Sequence, residues 1–231
     1  MLSDQKLDLH AKTDYVYDHL VEAYGERQLK PCPDNLRELI FTILSHRTNK
    51  YDERRAFDQM WERFGSWEGI QNAPQDELIE TLSPSRFPER KAPYIQAVLR
   101  RIKEERGEYN IDFLAEIPTD EAMQWLLSMP GVGVKTASLV MLFCFHRDVM
   151  PVDTHLHRVS GRLGLIRAKI SAESAHVVLR DLVGEKPHRL YNFHVSMLKH
   201  GQQICTFNNP RCGKCVVNSV CDYYREIKGG S

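Results

Sequence analysis

Apolar residues recur along this chain at the three- and four-residue spacing of a helix face, and nowhere do they alternate as a half-buried strand requires. Leu36, Leu39, Ile40, Ile43 and Leu44 fall at i, i+3, i+4, i+7 and i+8, behind Pro33 and a candidate N-cap at Asp34. Phe57, Met60, Trp61 and Phe64 repeat the pattern. So do Ile95, Val98, Leu99 and Ile102, with Pro93 expected in a first helical turn. Met123, Leu126 and Leu127 follow Thr119, the expected cap of a helix starting at Asp120. Val177, Val178 and Leu182, then Leu190, Phe193 and Met197, predict two more helices. Proline and glycine fall mostly between these blocks, where they punctuate helices rather than break them. Residues 136–145 are apolar nearly all round, which predicts a central, buried helix. The expected fold class is all-α.

The 231 residues suffice for one or two domains with a real core. With 42% hydrophobic and 27% charged residues, a largely disordered chain is excluded. The most apolar stretch, residues 137–145, is nine residues long. A membrane-spanning helix needs about twenty. Residues 1–12 alternate charge and apolarity without the apolar core of a secretory signal, so a cytoplasmic location with reduced thiols is expected. Residues 229–231 are expected to form a frayed tail. The net charge of zero hides an asymmetry: residues 1–150 hold 19 Lys and Arg against 25 Asp and Glu, while residues 151–231 hold 12 against 6. A basic C-terminal third is either the footprint of a nucleic-acid partner or a chance fluctuation of surface charge.

Cys205, Cys212, Cys215 and Cys221 form a C-x6-C-x2-C-x5-C quartet. Four thiols at this density, in a compartment that disfavours disulfides, suit a tetrahedral zinc site or an iron–sulfur cluster. Only Cys212 and Cys215 have the short spacing usual for zinc. The flanking gaps lean toward a [4Fe–4S] cluster and leave zinc open. Arg211 and Lys214 lie beside these ligands, where they can offset a negative cluster or reach a phosphate backbone. Cys32 and Cys144 lie far apart in sequence and need no function, Cys144 being expected as a small buried hydrophobe.

The segment Met129-Pro-Gly-Val-Gly-Val-Lys-Thr136 joins two expected helices. Gly131 and Gly133 permit a tight turn with positive φ and leave backbone N–H groups uncovered. With the positive end of the helix that begins near Val134, such a turn can hold a phosphate, although most turns of this kind are purely structural. Lys135 falls in the first turn of the most apolar helix. There the helix dipole and partial burial favour a neutral amine, as Schiff-base chemistry requires; the plain alternative is a solvated helix-start lysine. Asp153 follows the extended Pro151-Val152 and precedes Leu156, Val159 and Leu163, so it is expected to cap a helix and can also face a cleft. His155 and His157 are expected as hydrogen-bonded structural residues.

The hairpin, the Val152-Asp-Thr-His155 segment with Arg158-Val159 and Arg162-Leu-Gly-Leu165, and the cysteine quartet occur together and in this order. In this combination they resemble the endonuclease III family of helix-hairpin-helix DNA glycosylases, and the resemblance runs from about residue 14 onward. It implies two helical domains with a DNA cleft between them: a six-helix barrel over residues 30–147, and an iron–sulfur domain formed by residues 1–29 with 148–231. It also implies a monomeric, nucleoid-associated base-excision repair enzyme, a bifunctional glycosylase and abasic-site lyase. Its partner would be duplex DNA carrying an oxidised pyrimidine or an abasic site. In this reading Lys135 attacks the sugar and Asp153 assists, while Cys205, Cys212, Cys215 and Cys221 ligate a [4Fe–4S] cluster. Arg47, Phe87, Gly131, Gly133, Val134, Arg211 and Lys214 would meet DNA. Two departures stand out. Arg47 and Lys50 occupy positions where the family usually has Gln and Asp. Arg86-Phe87-Pro88 replaces a Gly-aliphatic-aromatic turn ahead of Lys91-Ala92. They keep open a second expectation, a lesion-binding DNA protein of the same scaffold with weak or altered glycosylase activity.

Overall fold

A computed structural model of the chain describes residues 8–167 and 169–229. Gly230 and Ser231 of the expected tail, and residues 1–7 of the leading segment, lie outside the described residues. Among the described residues there are twelve α-helices and no strand. They are α1 (Leu9–Tyr24), α2 (Asn35–Ser45), α3 (Lys50–Phe64), α4 (Trp67–Asn72), α5 (Gln75–Thr81) and α6 (Pro88–Arg106), then α7 (Thr119–Leu127), α8 (Val134–Phe143), α9 (Thr154–Leu163), α10 (Ala172–Val183), α11 (Pro187–Gln203) and α12 (Asp222–Gly229). The chain divides into two compact units. Pro31–Phe145 carries α2 to α8, and Met1–Lys30 with His146–Ser231 carries α1 and α9 to α12.

In the 31–145 unit, α2 buries its whole stripe: Leu36, Leu39, Ile40, Ile43 and Leu44 are each at most 1% exposed. Burial of each such side chain contributes ~1.5–3 kcal/mol. The Asp34 carboxylate accepts the Arg37 backbone N–H at 2.8 Å, the cap its position predicts. α2 packs on α3, α6 and α8, and α8 packs also on α7. α8 is buried through Thr136, Ala137, Ser138, Val140, Met141 and Leu142, so this apolar helix is a core element as expected, although it begins and ends two residues early.

Four sequence expectations are corrected here. Cys32 and Cys144 are joined as a disulfide, with Cα atoms 4.8 Å apart. The packing of α2 on α8 brings the segment before α2 to the end of α8, and their sequence separation of 112 conceals that approach. Pro93 lies inside α6, not in its first turn, because Pro88 takes that place. Thr119 is the first residue of α7, and Pro118 precedes it with no side-chain cap. The buried stripe of α10 is Ala175, His176, Leu179, Leu182 and Val183, whereas Val177 is 59% exposed. The short helices α4 and α5 were not anticipated, since six or seven residues hold too little periodicity to register.

In the other unit α11 packs on α9, α1 and α10 around Val16, Leu20, Leu156, Val159, Leu179, Leu190, Phe193 and Met197. Lys12 on α1 is buried and donates to the Asp222 carboxylate of α12 at 2.9 Å, which ties the two ends of the chain together. Gly164 closes α9 at φ +78, and a Cβ there would stand 1.8 Å from Asp222 Oδ2, so only glycine fits.

Candidate functional site

The hairpin between α7 and α8 is shaped by two glycines with different duties. Gly131 sits at φ +78, and a Cβ would lie 2.6 Å from the Tyr94 ring on α6. Both the backbone conformation and the close approach demand glycine. Gly133 is extended (φ −100, ψ 178) rather than left-handed, which corrects the expectation of positive φ at both glycines. It is the exposed N-cap of α8, and having no side chain it leaves the helix start clear for an anion. Val132 is buried and anchors the turn, and Val134 opens the helix.

Lys135 is the second residue of α8 and is half-buried. Its neighbour Thr136, 1% exposed, shares a hydrogen bond of 2.8 Å with His46 Nε2. Burial, followed by the charges of Lys135 and Lys91, pushes His46 down to about 4, so its imidazole is neutral at pH 7. Burial raises the Glu53 carboxyl, on the first turn of α3, and the Lys135 charge opposes that rise. His46 and Glu53 thus belong to the lysine's surroundings. Neither was singled out from the sequence, because one follows a helix end and the other is an ordinary helix-start carboxylate.

The low value for His46 sets an acid limit. The unfolded chain protonates this histidine near pH 6.5, the folded chain only near 4, so between these values the unfolded state binds more protons and stability falls as pH falls. Thermal melts from pH 6.5 to 4.5 should show His46→Gln losing less stability than the parent. Parallel losses in the two proteins would refute this.

Asp153 belongs to the other unit. It is extended (φ −95, ψ −178), and its Oδ1 accepts the Leu156 N–H at 2.7 Å as N-cap of α9. The segment leading to it is held by two buried histidines. His176 Nδ1 bonds the Met150 carbonyl at 2.6 Å, and His194 Nδ1 bonds the Pro151 carbonyl at 2.9 Å. A carbonyl only accepts, so both Nδ1 atoms carry the proton. His155 and His157 are structural as expected: one meets the Arg158 guanidinium and the other the Ile170 carbonyl.

Cys205, Cys212, Cys215 and Cys221 line one cavity, together with Arg162, His200, Tyr223 and Tyr224. Arg162 donates to Cys205 Sγ at 3.3 Å and to the Thr206 and Phe207 carbonyls at 2.7 and 2.8 Å. His200 Nε2 lies 3.4 Å from Cys215 Sγ, while its Nδ1 meets the Tyr24 hydroxyl at 2.9 Å. Burial pushes the Cys215 thiol up to about 11, and the other three cysteines push the same way. Four cysteine sulfurs around one cavity are, by their chemistry, a donor set suited to a metal centre. Among the described residues, no three His, Cys, Asp or Glu side chains are grouped to hold a single metal ion. Arg211 and Lys214 are exposed on the same loop.

The HhH-GPD superfamily of base excision DNA repair proteins matches residues 40–185, a span that contains the hairpin, Lys135 and Asp153. The chain belongs to this superfamily. It is 30% identical over 213 residues to endonuclease III of Thermotoga maritima, covering 89% of this chain and 94% of the relative. It is 28% identical to endonuclease III of Sulfolobus acidocaldarius, covering 80% and 81%. A solved non-covalent endonuclease III–DNA complex superposes with a TM-score of 0.80 at 22% identity, over 99% of this chain and 100% of that one.

Two further loops of this HhH-GPD chain lie in the 31–145 unit. Arg47 is exposed between α2 and α3 at φ 55, and Phe87 is 44% exposed ahead of α6 at φ 60. Both non-glycine residues occupy the left-handed region, which costs ~1–2 kcal/mol each. Among the described residues no helix is long and apolar enough to cross a membrane.

Proposed function

We infer that this chain is a bifunctional DNA glycosylase and abasic-site lyase acting on oxidised pyrimidines in duplex DNA. The observation that carries the reading is Lys135, half-buried on the first turn of α8, directly after the glycine hairpin of a base-excision repair superfamily. Its amine attacks C1′ of the flipped nucleotide as the C1′–N bond to the damaged base breaks. The C1′–O4′ bond then breaks, O4′ taking the proton from Nζ, so that the opened sugar is held as an imine on Nζ with no loss of water. β-Elimination then removes a C2′ proton and expels the 3′ phosphate, cutting the strand. Asp153 stabilises the positive charge that develops on the sugar.

In this proposal the 31–145 unit is the helix-hairpin-helix barrel, and the other unit is the domain holding a [4Fe–4S] cluster on Cys205, Cys212, Cys215 and Cys221. The cluster's role is to fold the loop carrying Arg211 and Lys214 against phosphates. Iron content and visible absorbance distinguish it from zinc. The hairpin at Gly131, Gly133 and Val134 takes a second phosphate, and Arg47 and Phe87 enter the base stack.

The decisive experiment is borohydride reduction of the protein with abasic-site duplex. A covalent complex is expected, and an intact protein that binds this duplex without trapping would instead be a lesion-binding member of the family. Binding should also weaken steeply with salt. Lys214→Ala should weaken it on all sequences and make the slope of log K against log salt shallower by about 0.9, read by fluorescence anisotropy. An unchanged slope would remove Lys214 from the phosphate contacts.

A further inference from the structure

The buried ammonium of Lys91 has no part in the chemistry above. It projects from α6, 5% exposed, and donates to the Leu44 carbonyl at 2.6 Å, the His46 carbonyl at 2.9 Å, Thr48 Oγ1 at 2.9 Å and Ser85 Oγ at 2.7 Å. Burial pushes it down to about 8, with Glu53 opposing, so the charge persists at pH 7. Three protons serving four acceptors make a fully engaged group, which is what an ion in a protein interior requires.

These acceptors come from two separate loops. Leu44, His46 and Thr48 belong to the end of α2 and the segment that follows it, and Ser85 to the segment before α6. The loops are also stitched to each other. Thr48 Oγ1 accepts the Arg86 backbone N–H at 3.1 Å and lies 3.4 Å from Ser85 Oγ, while Ser85 Oγ donates to the Leu44 carbonyl at 3.2 Å. Arg47 stands between two residues bonded to Lys91. Phe87 stands two residues beyond a third, and its carbonyl accepts the Lys91 backbone N–H at 3.2 Å. The His46 side chain continues the network to Thr136, beside Lys135. Left-handed conformations at Arg47 and Phe87 persist only where the surroundings over-determine them, and this network does so.

We propose that Lys91 is a positioning residue whose buried ammonium locks the loops around Arg47 and Phe87 into one rigid element, so that the two side chains open duplex DNA as a pair. The inference rests on the reading of Arg47 and Phe87 as the residues that enter the stack. Separating stacked bases is itself unfavourable. Ordering two mobile loops in the same step would add the conformational entropy of every backbone residue fixed. A preformed element removes that second cost from the encounter with DNA and couples it, through His46, to the helix that carries Lys135.

The test compares a substrate that must be opened with one that needs no opening. Lys91→Met keeps the apolar stem and removes the charge. Nicking of an abasic site in duplex DNA should fall about tenfold or more. Nicking of the same site in single-stranded DNA should stay within about twofold. Thr48→Val removes one shared acceptor, leaves Lys91 in place, and should move the ratio in the same direction by less. If Lys91→Met fails to fold by circular dichroism, Thr48→Val alone decides. Equal losses on both substrates, or no loss on either, overturn the proposal. Failure of the unmutated protein to nick either substrate sinks the lyase reading instead.

Discussion

Lys135→Gln should abolish both the borohydride-trapped complex and strand nicking, with a loss of at least ~10³-fold in single-turnover rate, equivalent to about 4 kcal/mol of barrier. A carboxamide cannot form an imine, so no residual covalent route exists through this position. Glutamine is close to lysine in reach and sits well in a helix. The hairpin glycines are untouched, so affinity for abasic duplex should change only by the loss of one cation near the DNA. The separation is the informative part: binding by anisotropy persists while chemistry disappears. Trapping at wild-type level by Lys135→Gln would assign the nucleophile to another amine. Collapse of binding together with chemistry would point to a damaged hairpin rather than a missing nucleophile.

Asp153→Asn should slow release of an oxidised pyrimidine by about 10²–10³-fold. Asparagine caps a helix about as well as aspartate, and the bond from Leu156 N–H at 2.7 Å asks only for an acceptor oxygen, so α9 should keep its start and the protein its melting temperature. What disappears is negative charge, which matters most while the base departs and the sugar becomes cationic. Nicking of a preformed abasic site bypasses that step and should fall less. Equal loss at both steps would place the carboxylate in proton transfer at the lysine. No loss in either would reduce Asp153 to its capping bond.

The legibility of this protein in its sequence differs by element. The stripe of α2, the Asp34 cap and the buried character of α8 could be read because each depends on neighbours within one or two turns. The cysteine quartet was legible for a similar reason: its members are close in sequence, and the chain between them is too short to carry them far apart. Pro93 and Thr119 were misplaced because helix starts compete with one another, and Pro88 and Pro118 stand where the structure begins its helices. The α10 stripe was misread because Val177 and Val178 outrank Ala175 in hydrophobicity but not in position.

Composition and local periodicity determined that the chain is helical and where its principal helices run, while the hairpin, the Asp153 segment and the cysteine spacing marked the candidate residues. Only the tertiary structure decided that Cys32 meets Cys144, that His46 reaches Thr136, and that one lysine joins loops forty residues apart. Contacts such as these are set by how helices pack, and packing depends on the summed fit of many apolar surfaces at once. No short window of sequence carries that sum.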